Sequence, residues 1–177
     1  MATSLHYLTD ALMWTLGRHS RQEYLRQMLR DCGMDDAALL RAGGERPYAV
    51  AWPDHGLVLQ VQSIVSPDAP PENCSWGLHS ITFEAANWRG PWPGRLNPES
   101  ATVDDWLKAL PGGLGVQTEI VRTPELVCLT LPGRDSQTWS VVAVFNPTAR
   151  LQSLTFARAG DWVAASIVSP WPAVEAQ

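Results

Sequence analysis

Leucines at positions 5, 8, 12 and 16 recur three or four residues apart, so they share one stripe of a helix. Ser20 stands before a second such run, residues 21–34, with Glu23 three positions on, the spacing of a capping box. Tyr24, Leu25, Met28 and Leu29 supply its apolar stripe, and Gly33 supplies the stop. Residues 35–40 read as one further helical turn.

After Gly43 and Gly44 the period changes from helical to alternating. Residues 48–52, the Pro53-Asp54-His55-Gly56 turn and residues 57–61 predict a hairpin. Residues 66–75 are a loop by proline density, and residues 78–83 return to a strand. Strict alternation there puts Leu78, Ser80 and Thr82 on one face and His79, Ile81 and Phe83 on the other. Residues 87–100 carry Pro91, Pro93 and Pro98, which exclude regular structure. A helix is expected over 102–110, with Thr102 as cap, Asp104 and Asp105 in its first turn, and Val103, Trp106, Leu107 and Leu110 as its stripe. Strands are expected over 115–121, 126–131, 139–145 and 151–156, followed by a loose tail after Ser169.

One comparison organises the chain. Residues 78–83 read LHSITF and residues 151–156 read LQSLTF, each followed by Ala and then Trp. The pattern predicts an α+β fold in which N-terminal helices precede two related halves, each a helix with an antiparallel sheet. The divisions are 1–44 (helical), 45–100 (first β unit), 101–168 (helix and second β unit) and 169–177 (tail), all in one compact domain. An uncovered second sheet face, studded with Trp and Arg, would form a wall able to bind a protein.

Composition narrows the function. Hydrophobic residues make up 45% of the 177 and charged residues 18%, which is globular rather than disordered. The formal net charge is −5, and the arginines of residues 1–50 are balanced by acids, so the negative excess lies beyond them. That field disfavours nucleic acid and is compatible with a basic protein partner. The three cysteines, at 32, 74 and 128, form neither a disulfide framework nor a CxxC pair, which points to a reducing compartment. No leader-like segment or membrane-length apolar run is legible, so the expectation is a soluble cytoplasmic protein.

G-x-S-x-G, P-loop, G-x-G-x-x-G and H-E-x-x-H patterns are absent. The histidines at 6, 19, 55 and 79 are not spaced as metal ligands, and Cys74 with His79 supplies too few for zinc. Cys32 follows Asp31 at a helix C-terminus, which raises a thiol pKa and argues against a nucleophile. The expectation is a non-enzymatic chain without metal or cofactor.

The segment richest in binding chemistry is Trp88-Arg89-Gly90-Pro91-Trp92-Pro93-Gly94-Arg95. Trp and Arg are enriched at binding hot spots, and proline limits the entropy lost on docking. Trp88 and Trp92 either plug the core or contact a partner, with Arg89 and Arg95 as the exposed members. Asp54, Glu84 and Glu99 are the acidic candidates for the same surface.

In this region the chain resembles bacterial immunity-type proteins, which are encoded beside polymorphic or secretion-system toxins. The resemblance rests on aliphatic-Thr-Phe, on Trp88, Gly90, Pro93, Gly94 and Leu96, and on the helix 103–110. That helix ends Leu110-Pro-Gly where the family has Leu-Gly-x-Pro. The resemblance implies a protein that neutralises a cognate toxin by steric occlusion, and it carries over no catalytic residue. An effector chaperone or adaptor of a secretion system, or a carbohydrate-binding module, is the alternative.

Overall fold

A computed structural model describes residues 2–17, 21–40, 48–63, 76–92, 120–122, 126–132, 138–146, 148, 150–158 and 173–175. The described chain is α+β. It has three helices, α1 (Ala2–Thr15), α2 (Gln22–Asp31) and α3 (Ala37–Leu40), and one eight-stranded sheet. The strands are β1 (Tyr48–Trp52), β2 (Leu57–Ser63), β3 (Trp76–Glu84), β4 (Ile120–Arg122), β5 (Leu126–Pro132), β6 (Thr138–Phe145), β7 (Leu151–Arg158) and β8 (Ala173–Glu175). Their order across the sheet is β4-β5-β6-β7-β3-β2-β1-β8. The expected helix at 102–110 and the loop at 66–75 lie outside the described residues.

The helices form for the reasons the leucine spacing gives. Leu8, Leu12 and Leu16 are buried on one side of α1, and Leu25 and Leu29 on one side of α2. Ser20, the expected cap, lies outside the described residues. Arg21 is the N-cap of α2 and makes no side-chain cap, while the Glu23 carboxylate accepts from Arg26 and Arg30 instead. Gly33, at φ 80°, ends the helix. Its N–H donates to the Arg30 carbonyl and that of Met34 to the Leu29 carbonyl, a Schellman pair closed by the buried Leu29 and Met34 side chains. The Asp35 carboxylate then accepts the Ala37 N–H at 2.9 Å and starts α3.

β1, β2 and β3 make one antiparallel meander, and β5, β6 and β7 another. The two meet where β3 pairs β7, with Thr82 opposite Thr155. The expected alternation along 78–83 needs correction. Gln60 faces Ser80 but Val61 faces Leu78, so His79 is an extra residue, a β-bulge. The bulge returns Leu78 to the same face as Ile81 and Phe83, and all three are buried in the core. On β7 Val144 faces Ser153 and Phe145 faces Leu151, which leaves Gln152 as the extra residue. Leu151, Leu154 and Phe156 join the core in the same way. The repeated Leu-polar-Ser-aliphatic-Thr-Phe frame is thus the code of a bulged strand: leucine inward, a bulge residue, then serine and threonine on the outer face.

The core lies between one face of the sheet and the helices. Leu8, Leu12, Leu25, Leu29 and Leu39 pack against Val50, Leu57, Leu59, Ile81, Phe83, Leu154 and Phe156. The Leu78 carbonyl, at the bulge, accepts the Gly17 N–H at 2.9 Å and fastens the end of α1 to the sheet. The Gln22 side chain donates to the Trp76 carbonyl and does the same for α2.

Two expectations are corrected here. The tail contributes a strand, since β8 lies parallel to β1 with Val50 opposite Val174. Among the described side chains the outer sheet face presents no Trp or Arg. They are polar or of modest size, with Ser80, Val142, Ala157 and Ala51 buried and Val58, Gln60, Thr82, Glu84, Val144 and Thr155 partly covered. Trp52 and Trp76 sit on the opposite face, in the core.

Candidate functional site

The described part of the loop richest in Trp and Arg, residues 88–92, folds back onto the body of the protein. Trp88 is 3% exposed and Trp92 9%. Their rings lie 4.8 and 6.2 Å from that of Phe83. Gly90 explains the Trp-x-Gly spacing, because a Cβ there would stand 2.3 Å from the Trp88 ring. Thr9 on α1 donates its hydroxyl to the Pro91 carbonyl at 3.2 Å and ties the loop to the helix. The indoles therefore close one end of the core and offer no contact face of their own. Burying two large aromatics is worth several kcal/mol, which outweighs leaving them in water for a partner.

The polar candidates around that loop gather at one end of the sheet. Asp54 is exposed in the 3-10 turn Pro53–His55 between β1 and β2. Gly56, left-handed at φ 61°, lets that turn press on the segment after β3. The Gly56 carbonyl accepts the Glu84 N–H at 2.8 Å, and Asn87 donates its side-chain amide to the Pro53 carbonyl at 2.9 Å. Glu84 is half-buried and Arg89 exposed, so Asp54, Glu84 and Arg89 share this end. Arg95 and Glu99 lie outside the described residues.

A second surface escaped the sequence reading. The large hydrophobic side chains exposed among the described residues are Tyr7 (54%), Trp14 (49%) and Tyr24 (41%), all on α1 and α2. Trp14 and Tyr24 meet edge to face at 5.6 Å, and the Arg21 guanidinium lies 3.2 Å above the Trp14 ring. Tyr7 is braced by His6, edge to face at 6.2 Å. Tyr24, assigned above to the buried stripe of α2, stands at its edge instead. Tyr7 and Trp14 were legible in principle, because both oppose the 5-8-12-16 leucine stripe on a helical wheel.

The charged groups of α2 are mostly satisfied internally. Asp36, buried at the start of α3, accepts from Arg26 Nε and Arg30 at 2.7 Å each. Glu23 closes the network on the same two arginines, and its hydrogen bond is the main reason the Arg30 guanidinium titrates above its ordinary range. The network pins α3 to α2 and leaves the neighbouring aromatic cluster on a firm base.

Burial pushes the Cys32 thiol up, and the Asp31 carboxylate adds to the rise. It is a poor nucleophile there. Among the described residues no group of His, Cys, Asp and Glu is arranged to hold a metal ion, and no helix is long and apolar enough to cross a membrane. No protein-family model matches the chain, and neither a curated protein nor a solved structure shows significant similarity to it.

Proposed function

We propose that this chain is a non-catalytic protein-binding protein of the immunity type, which neutralises a cognate bacterial toxin by occluding it. The observation that carries the reading is the exposure of Tyr7, Trp14 and Tyr24 on α1 and α2, with the half-buried Arg21 over the Trp14 ring. Tyr, Trp and Arg are the residue types that dominate binding hot spots. Here Trp14 is braced by Tyr24 and Arg21, and Tyr7 by His6, so little rotamer freedom remains to be lost on docking. Half-exposed indoles are unfavourable in water, and a partner would relieve that.

The proposal extends to the architecture and the setting: two related halves joined at β3 and β7, working in the cytoplasm. It is supported by the equivalent bulges at His79 and Gln152 and by the Thr82–Thr155 pairing. The Asp54, Glu84 and Arg89 end of the sheet is a second, smaller docking surface.

The test is growth rescue. A host killed by the toxin-like product encoded beside this chain should grow when the chain is co-expressed, and Trp14→Ala should abolish rescue while the protein stays folded. Arg89→Glu reports separately on the end of the sheet. Complex formation without rescue would instead make the chain an effector chaperone or adaptor, and the absence of any complex would end the protein-binding reading.

A further inference from the structure

The outer stripe of α1 has a chemistry of its own. Tyr7, Asp10 and Trp14 are exposed at three- and four-residue spacing, opposite the buried Leu8 and Leu12. One stripe of about 10 Å therefore carries a ring, a carboxylate and a second ring, at ~1.5 Å of rise per residue. Among the described residues the ion pairs of these helices run among Arg26, Arg30, Glu23 and Asp36, and none engages Asp10. The faces of Tyr and Trp rings are the negative ends of their quadrupoles. The Trp14 indole already takes a guanidinium, that of Arg21, at 3.2 Å. The arginines of residues 1–50 are balanced by acids, so the attraction for a cation on this stripe is local, from the Asp10 carboxylate and the two ring faces.

We propose that the Tyr7–Asp10–Trp14 stripe receives an arginine or lysine side chain of a partner protein. The cation pairs with Asp10, and its aliphatic stem lies between the two rings. This rests on the protein-binding reading above and names the chemistry of the partner's anchor.

The probe is a library of random twelve-residue peptides displayed on phage, panned on the full chain at low salt and again on Trp14→Ala. The peptides that bind the full chain and lose Trp14→Ala should carry Arg or Lys at one fixed position. The best of them, synthesised, should bind Asp10→Asn about tenfold more weakly, in keeping with a partly desolvated charge pair. Its affinity should also fall as salt rises, because exposed charges are screened. Both substitutions are on exposed side chains and should leave the melting temperature unchanged. If Trp14→Ala lowers it, Tyr7→Ala takes its place.

Peptides that need Trp14 but share no basic residue, or that bind Asp10→Asn as tightly, would overturn the cationic anchor while leaving protein binding intact. A library in which no peptide distinguishes the variants would remove this face as a docking surface altogether. A dimer of the full chain in sedimentation, dissolved by Trp14→Ala, would overturn the proposal too, since the face would then be covered by a second copy.

Discussion

Thr82 and Thr155 face each other across the β3–β7 pairing, their hydroxyls 2.8 Å apart and their positions 73 residues apart in the chain. The same offset relates Phe83 to Phe156, whose rings meet edge to face at 6.4 Å on the core side. Equivalent positions of the repeated hexapeptide thus touch each other on both faces of the sheet.

The threonine pair is partly buried, so removing one hydroxyl strands the other. Thr82→Val and Thr155→Val should each lower stability by about 1 kcal/mol, and the double variant by clearly less than the sum. Urea denaturation of the four proteins closes the cycle. Additive losses would mean that the hydroxyls do not interact.

The two hexapeptides should be interchangeable. Replacing His79→Gln and Ile81→Leu makes β3 read as β7 does. Because both strands carry the same bulge and the same inward set, the change should lower stability by less than about 1.5 kcal/mol, the range of volume-conserving core exchanges. A loss of cooperative unfolding would show that the two strands differ in what their environments demand.

Glycine at 56 and 90 is required by space. A Cβ on Gly56 would stand 2.4 Å from the Trp88 backbone nitrogen, at a φ of 61° that disfavours any side chain. One on Gly90 would meet only the Trp88 ring. Gly56→Ala should therefore be the more damaging, by about 1–3 kcal/mol or more. Gly90→Ala should chiefly dislodge the indole, seen as a red shift in tryptophan emission. Equal stability of Gly56→Ala and the parent would contradict the close approach.

Cys32 should alkylate slowly. Its thiol is pushed above the ordinary range by burial first and by Asp31 second, so less thiolate is present at a given pH than in the unfolded chain. Asp31→Asn removes the repulsive charge, lowers the thiol pKa and should speed the reaction with iodoacetamide, but not to the unfolded rate, because burial remains. A rate at neutral pH equal to that of the denatured protein would refute this.

Much of the fold was legible because its determinants are local. Leu8, Leu12 and Leu16 fix α1, Gly33 ends α2, and the Pro53-to-Gly56 turn fixes the first hairpin. The bulge was not legible, because a one-residue insertion is settled by the partner strand, and nothing in LHSITF alone says that Val61 will face Leu78. Nothing in the Ser20–Glu23 spacing says that the Glu23 carboxylate will be taken by Arg26 and Arg30.

The binding residues divide along the same line. Residue type marked Trp88 and Trp92, but burial depends on Phe83 and Pro91 meeting them in space. Tyr7 and Trp14 lie opposite the leucine stripe, and helical spacing marks the buried face without saying what the other face presents. That Asp54, Glu84 and Arg89 lie at one end of the sheet is visible only once the Asn87–Pro53 contact is seen.

The five tryptophans with described side chains divide unevenly: Trp52, Trp76, Trp88 and Trp92 are hidden, and Trp14 is open to solvent. Iodide dissolved in the buffer can reach that one and not the other four. The difference in quenching between the parent and Trp14→Phe is therefore an optical signal from a single site. Whatever settles on α1 will shield it, and the protein will report the event through its own emission without a label.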